Sequence, residues 1–426
     1  MYGNMDGLSL KMHVHPQKTI FNGSQNHEID PMRLTKLSRM EDLDSLEADI
    51  PFRLLHRIMS WEIMEISLDS LRGYLSNLYG GEAEIVSIAP LGATGIRPEE
   101  ALKGYGYGTA LSIEFRVGGT PRRVVFNTVR PGGFGHERMA DRAAIILWQG
   151  EAFNTLPRHV RAIDVGVITR RGSLRSIGDP LEFFILTEMA EGLEYYRDLD
   201  RIKASNALSA LDLERCRALA EYLAEIHSVK GGEPGLYERR IRELVGHSEC
   251  IFGLTDSYPK GLEYIGPREL SAIEKRCIDW RWRLKPLTHR LSMVHGDFHP
   301  WNIIFTGNTE FKLLDRSRGE WGEPADDVTA LAVNYLFYAL QQAGRLEGPF
   351  RTLWERFFEE YLEATGDLEL LQVVQPFFCW RALVVASPTW YPKLPMEVRM
   401  KLLNFARNVL EVSSFDFHDV NGLLGG

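Results

Sequence analysis

Apolar positions in the first half of the chain change their period several times. Between residues 51 and 79, Leu54, Leu55, Ile58, Met59, Trp61, Ile63, Met64, Ile66, Leu71, Leu75 and Leu78 fall at helical spacing. They predict one or two helices closed by Gly80-Gly81. Residues 1–50 are polar, irregular and without period, and predict a flexible N-terminal extension. Beyond Gly81 the pattern turns to short β-branched and alternating runs. Residues 83–88, 109–117 and 122–129 predict strands, with Gly118-Gly119 as the turn between the last two. Residues 141–153 return to helical texture ahead of Pro157, and strand texture resumes at 162–168 and 182–187.

Past residue 190 the pattern is mostly helical. Leu213, Cys216, Leu219, Leu223, Ile226 and His227 form one stripe of a helix over 212–228, and residues 270–284 predict another. Two short apolar runs, 303–305 and 311–314, suit a hairpin, and residues 326–410 alternate helical stretches with Gly and Pro breaks. There is no internal repeat and no low-complexity tract. The pattern predicts an α+β chain. After the extension, residues 51–190 hold an N-terminal helix and a small β-rich lobe, and residues 191–426 form a larger, mainly helical lobe.

Composition narrows the function classes. A chain of 426 residues with 44% apolar and 25% charged residues can build a substantial core. A formal net charge of −9 argues against a general grip on nucleic acid. Cys216, Cys250, Cys277 and Cys379 are far apart and lack zinc spacing, which fits a reducing compartment. No basic stretch followed by an apolar run opens the chain, and no apolar run approaches the ~18 residues of a membrane span. The expectation is a cytoplasmic protein without nucleic-acid or membrane partners.

The densest chemistry lies in Val294-His295-Gly296-Asp297-Phe298-His299-Pro300-Trp301-Asn302, followed after a short gap by Leu313-Leu314-Asp315. Phosphoryl transfer asks little of a protein: one carboxylate to orient the acceptor hydroxyl and take its proton, and hard oxygen ligands for a divalent cation. Asp297 and Asn302 share a tight loop that lets both face one cleft, and Asp315 follows the next hairpin. The same residues admit two other roles. One is loop bracing by His295 and His299; the other is a metallohydrolase built on His295, Asp297 and His299.

This stretch resembles the catalytic loop of the aminoglycoside phosphotransferase and choline kinase family, kinase-like enzymes that phosphorylate small molecules. The resemblance implies a bilobal protein-kinase-like fold, ATP (or GTP) with Mg2+, and a small-molecule hydroxyl acceptor. It implies Asp297 as proton acceptor and Asn302 and Asp315 as metal ligands. It places phosphate contacts at Gly104, Gly106 and Gly108, and the adenine at a hinge over residues 187–192, with Glu188 and Ala190.

One departure stands out. The third strand of such a lobe usually carries a lysine that holds the nucleotide phosphates, and here Asn127 occupies the place. Asparagine offers a hydrogen bond but no charge. Lys103, Arg123, Arg130 and His136 are the candidate substitutes, with Glu137 or Asp141 as the acidic partner of such a cation. The departure motivates a second expectation, a catalytically weak kinase-like protein that binds a nucleotide or a partner. Further on, Asp326 and Asp327 predict an N-cap and first-turn acid, with bracing of the catalytic loop as the other role open to one of them. Arg316 and Arg318 predict internal pairing with Glu320 or Glu323, and the aromatic residues of Trp380-Arg381 and Trp390-Tyr391 predict core packing rather than a site.

Overall fold

Ser67 sits where two element types meet. Strand β1 (Ser9–Met12) pairs antiparallel with β2 (Met64–Ser67). Helix α1 (Leu68–Tyr79) then starts with the Ser67 hydroxyl accepting from Ser70 N at 3.1 Å. It ends where Gly80 takes φ +71°. The structure, a computed structural model, describes residues 9–12, 64–90 and 108–425. Residues 51–63, Lys103, Gly104 and Gly106 lie outside the described residues. Two expectations change. Met64 and Ile66 belong to a strand rather than the predicted helix, because β1 supplies ladder partners. For the same reason, residues 9–12 form a strand and not part of an irregular extension.

The chain divides into two compact units at Ile185/Leu186. In the first, β3 (Ala83–Pro90), β4 (Gly108–Val117) and β5 (Thr120–Val129) form an antiparallel sheet in that order. Gly118 and Gly119, at φ +56° and +78°, make the two-residue turn, so Val117 pairs with Thr120 and Ala110 with Asn127. Leu111, Ile113 and Phe115 point into a core shared with Leu71 and Leu75 of α1. On β5, Val124 and Phe126 are half-buried against that core while Arg123, Val125 and Asn127 are exposed. Helix α2 (Met139–Thr155) and a small hairpin of β6 (Gly166–Ile168) and β7 (Leu174–Ser176) complete the unit. The strand predicted over 182–187 is absent. That run is irregular, and Phe184, Ile185 and Leu186 are exposed, because no strand among the described residues pairs with it.

The second unit opens with β8 (Leu193–Glu194), α3 (Tyr195–Ser205) and α4 (Ala210–His227). Helices α5 (Pro234–Gly246), α6 (Ile251–Asp256) and α7 (Pro267–Leu284) follow. Strands β9 (Ser292–Met293), β10 (Ile303–Phe305), β11 (Phe311–Leu313) and β12 (Trp321–Gly322) carry the loops of interest. Helices α8 (Pro324–Ala343), α9 (Gly348–Thr365), α10 (Gln375–Ala386) and α11 (Met396–Asn408) finish it. The predicted hairpin forms with Ile303 opposite Leu313, and β8 pairs on the free side of β10. Almost the whole of α8 is buried, so it forms the spine against which α3, α9, α10 and α11 pack. No helix among the described residues is long and apolar enough to cross a membrane. The observed class is α+β, a small strand-rich unit followed by a larger helical one, as the sequence pattern predicts.

Candidate active site

The loop between β9 and β10 is held from behind by a single carboxylate. Asp327, in the first turn of α8 and fully buried, accepts from His295 N through Oδ2 and from Gly296 N through Oδ1, both at 2.7 Å. His227 Nε2 lies 3.2 Å from the same Oδ2, and the other ring nitrogen of His227 lies 2.8 Å from Tyr361 Oη. Burial alone would push the Asp327 carboxyl up, but His227, His295 and the backbone donors bring it below its ordinary value. Gly296 takes φ +88°, and a side chain there would also press on Arg318 Cβ at 3.3 Å, so the turn requires glycine. The cap of α8 is not the Asp326 or Asp327 expected. Pro324 fixes the first helical position, and Glu323 one residue earlier accepts from Ala325 N.

Asp297 is the most heavily paired residue of the loop. Its Oδ1 receives Arg318 Nη1 at 2.7 Å and Arg381 Nη1 at 2.8 Å, while Oδ2 lies 3.4 Å from His299 Nε2. Burial opposes its ionisation, but the His299 ring and the Arg381 and Arg318 guanidiniums outweigh it. They hold the carboxyl well below the usual aspartate range. Asp297 is therefore a carboxylate at every ordinary pH.

Asn302 turns its amide nitrogen to Asp297 O at 3.1 Å, which leaves its side-chain oxygen for another partner. Its own carbonyl accepts from Leu314 N at 2.9 Å, so the residue before Asp315 is tied to the loop. Asp315 itself is exposed and adopts φ +52°, a conformation uncommon outside glycine. The Asn302 side-chain oxygen and the Asp315 carboxylate are the hard oxygen donors here that could hold a divalent cation. Among the described residues, no three His, Cys, Asp or Glu side chains form a closed metal cage.

Burial pushes the His295 ring below the ordinary histidine value, against the pull of Asp327. Its Nδ1 accepts from Asp297 N at 3.2 Å, so the neutral ring carries its proton on Nε2. That nitrogen has no hydrogen-bond partner among the described residues, and His295 borders a cavity of about 180 Å3 also lined by Tyr222, Met293 and Asp315. A cavity of that size beside a buried donor is suited to ordered water. His295 braces the loop, one of the roles the sequence allows it.

The arginines differ from expectation in their partners. Arg316 donates to the carbonyls of Val294 and Glu320, and Arg318 reaches Asp297 and Gly296 O. Neither meets the Glu320 or Glu323 side chain among the described ion pairs. Arg381, predicted only as part of a core segment, is the residue that sequence reasoning misses. It lies 84 residues from Asp297, with no local motif to mark it.

The remaining expected residues fall in the run leading to β8 and in the strand-rich unit. Glu188 is exposed and Ala190 half-buried in the irregular run leading to β8. In the strand-rich unit, Gly108 opens β4 opposite Val129, and Asn127 faces outward from β5. Arg123, four residues before Asn127 on the same face, is ion-paired to Glu114 across the strands. Glu137 is half-buried just before α2 and its carbonyl accepts from Arg142. Asp141 closes the start of α2 by accepting from Arg138 N at 2.9 Å.

Residues 154–377, just over half of the chain, match the sequence profile of the APH phosphotransferase enzyme family. No sequence among the curated proteins matches. Solved structures give looser likenesses. An amicoumacin kinase in complex with AMP-PNP, Ca2+ and Ami is 14% identical, with 73% of this chain and 89% of that chain covered and a TM-score of 0.36. A Plasmodium vivax ethanolamine kinase is 13% identical over 82% of each chain, with a TM-score of 0.31. The choline kinase LicA from Streptococcus pneumoniae is 14% identical, covering 80% of this chain and 98% of that chain, with a TM-score of 0.31.

Proposed function

Because the chain belongs to the APH phosphotransferase enzyme family, we propose that it is a cytoplasmic kinase moving the γ-phosphate of ATP (or GTP) to a hydroxyl of a small molecule. The observation that carries this reading is the loop itself. A half-buried carboxylate and an amide oxygen share one loop of the helical unit, and a second carboxylate follows the hairpin that Leu314 N ties back to that loop. That is the donor set phosphoryl transfer requires.

Asp297 orients the acceptor hydroxyl. Its low basicity suits a loose transition state, in which the acceptor proton is surrendered late and positioning matters more than base strength. The acceptor oxygen forms its bond to the γ-phosphorus, the bond to the β,γ-bridging oxygen breaks, and the nucleoside diphosphate leaves. The acceptor proton passes to Asp297. Asn302 and Asp315 hold the magnesium ion, which when bound screens the phosphate charge. Four buried free cysteines fit the reducing compartment.

The test is a phosphate-transfer screen of the purified protein with Mg-ATP against hydroxylated small molecules, repeated with Asp297→Ala. Transfer is expected in the wild type and lost in a variant that still folds. Full activity in Asp297→Ala would remove Asp297 from the role.

A second reading rests on Asn127. With no charge at that position, the protein binds Mg-ATP but transfers phosphate feebly. Strong magnesium-dependent thermal stabilisation by AMP-PNP with no turnover on any acceptor would favour it.

A further inference from the structure

The two adjacent acids at the start of α8 divide the work of holding the loop. Asp327 fixes the backbone of His295 and Gly296. Asp326 makes no such contact. Its Oδ1 takes Arg381 Nη2 at 2.5 Å, and Arg381 in turn donates Nη1 to Asp297 Oδ1 at 2.8 Å and Nη2 to Gly296 O at 3.2 Å. The guanidinium is fixed by more than these charges. The Arg381 side chain is 8% exposed, and its Cζ sits 3.9 Å from the centre of the Trp380 ring. Arg318 shares Oδ1 but comes from the exposed turn after Asp315 and is 21% exposed.

We propose that Arg381, anchored by Asp326, is the positioning residue for the Asp297 carboxylate. It holds Oδ1 so that Oδ2, which among the described residues lies 3.4 Å from the His299 ring, is the oxygen presented to the acceptor. The proposal rests on the phosphotransferase reading for its chemistry, but the geometry it asserts is testable without turnover. The rigid fork of a guanidinium joins two carboxylates and a carbonyl here, and a lysine ammonium has no such fork.

Two variants keep the test open if the more drastic one fails to fold. Asp326→Asn removes the anchor and keeps the side-chain shape; Arg381→Lys keeps the charge and loses the fork. In crystal structures of both, the Asp297 carboxylate is expected to turn while the His295–Gly296 backbone stays in place. In phosphate release from Mg-ATP, kcat is expected to fall roughly tenfold to a hundredfold, the scale of a misplacement near 1 Å. KM for Mg-ATP and AMP-PNP binding should stay near wild type. An unmoved carboxylate or an unchanged kcat would overturn the proposal. If the wild type neither binds Mg-AMP-PNP nor releases phosphate, the phosphotransferase reading fails instead. The carboxylate geometry then still decides whether Arg381 and Asp326 position Asp297.

Discussion

The two units hold their candidate functional residues in opposite ways. In the helical unit, Asp315 apart, the charges around the loop are enclosed and answered. Asp327 meets two backbone donors and a histidine, Asp297 meets two arginines, and Arg290 bridges Glu323 and Asp367. In the strand-rich unit, the candidate residues of β5 ride on a surface. Asn127 faces outward, and the Arg123–Glu114 pair on the same sheet is 71% and 37% exposed. Buried pairs break expensively and fix geometry, whereas exposed pairs contribute little. The helical unit therefore holds this loop in a fixed arrangement, and β5 leaves Arg123 and Asn127 adjustable.

The sharpest way to break this contrast is Asp327→Ala. It leaves the buried His295 and Gly296 amides and the His227 ring without their carboxylate, at a cost of about 3–5 kcal/mol. A large fall in Tm is expected, and a loss within the roughly 0.5 kcal/mol typical of surface changes would refute the bracing role. Asp315→Ala should do the reverse. Asp315 is exposed, so the Tm of the free protein should hardly move. The magnesium-dependent stabilisation by nucleotide, about 2.7 kcal/mol at a ligand concentration about 100-fold above Kd, should disappear. Retention of that stabilisation would remove Asp315 from the metal site.

A pH series tests the buried network away from the loop. Burial raises the Asp367 carboxyl, but the bonds from Arg290 and from Leu370 N outweigh it and bring the group below its ordinary value. A depressed folded value means stability that is present above the unfolded value of about 4 and is lost as pH falls through the folded one. Wild-type stability should therefore decline below about pH 4. Asp367→Asn should be less stable at neutral pH and flatter on the acid side. Parallel acid limbs for the two proteins would contradict the linkage.

How much of this is legible in the sequence follows sequence separation. The loop from His295 to Asn302 and the hairpin leading to Asp315 are contiguous, so their pattern and spacing are readable. The turn at Gly118-Gly119 and the helix over Ala210–His227 are readable for the same reason. Arg381, Asp326 and Asp297 meet only after α8 and α10 have packed, and no local period announces such a meeting. The run 182–187 shows the opposite failure. Its apolar residues imitate a strand, yet a strand exists only where a neighbour completes its ladder. Met64–Ser67 errs in the other direction: its helical spacing hides a strand whose partner, Ser9–Met12, lies far upstream.

The smallest expected effect bears on the weaker side of the contrast. Asn127 sits opposite Ala110 on β5, on the exposed face, with Val124 and Phe126 turned the other way into the core. A lysine there displaces no buried group, and its stem can lie along the sheet while the ammonium stays solvated. Asn127→Lys should therefore leave stability within about 0.5 kcal/mol of wild type. If the strand-rich unit lacks a phosphate-holding cation, the substitution supplies one. Turnover of Mg-ATP should then rise roughly threefold to tenfold, ~1 kcal/mol of transition-state stabilisation. Because Arg123 is already paired with Glu114 on the same face, Arg123→Ala should not reproduce the gain. Unchanged turnover in Asn127→Lys would mean that the phosphates are already gripped by another cation. The strand-rich unit would then hold its residues as firmly as the helical one, and the contrast between the two would dissolve.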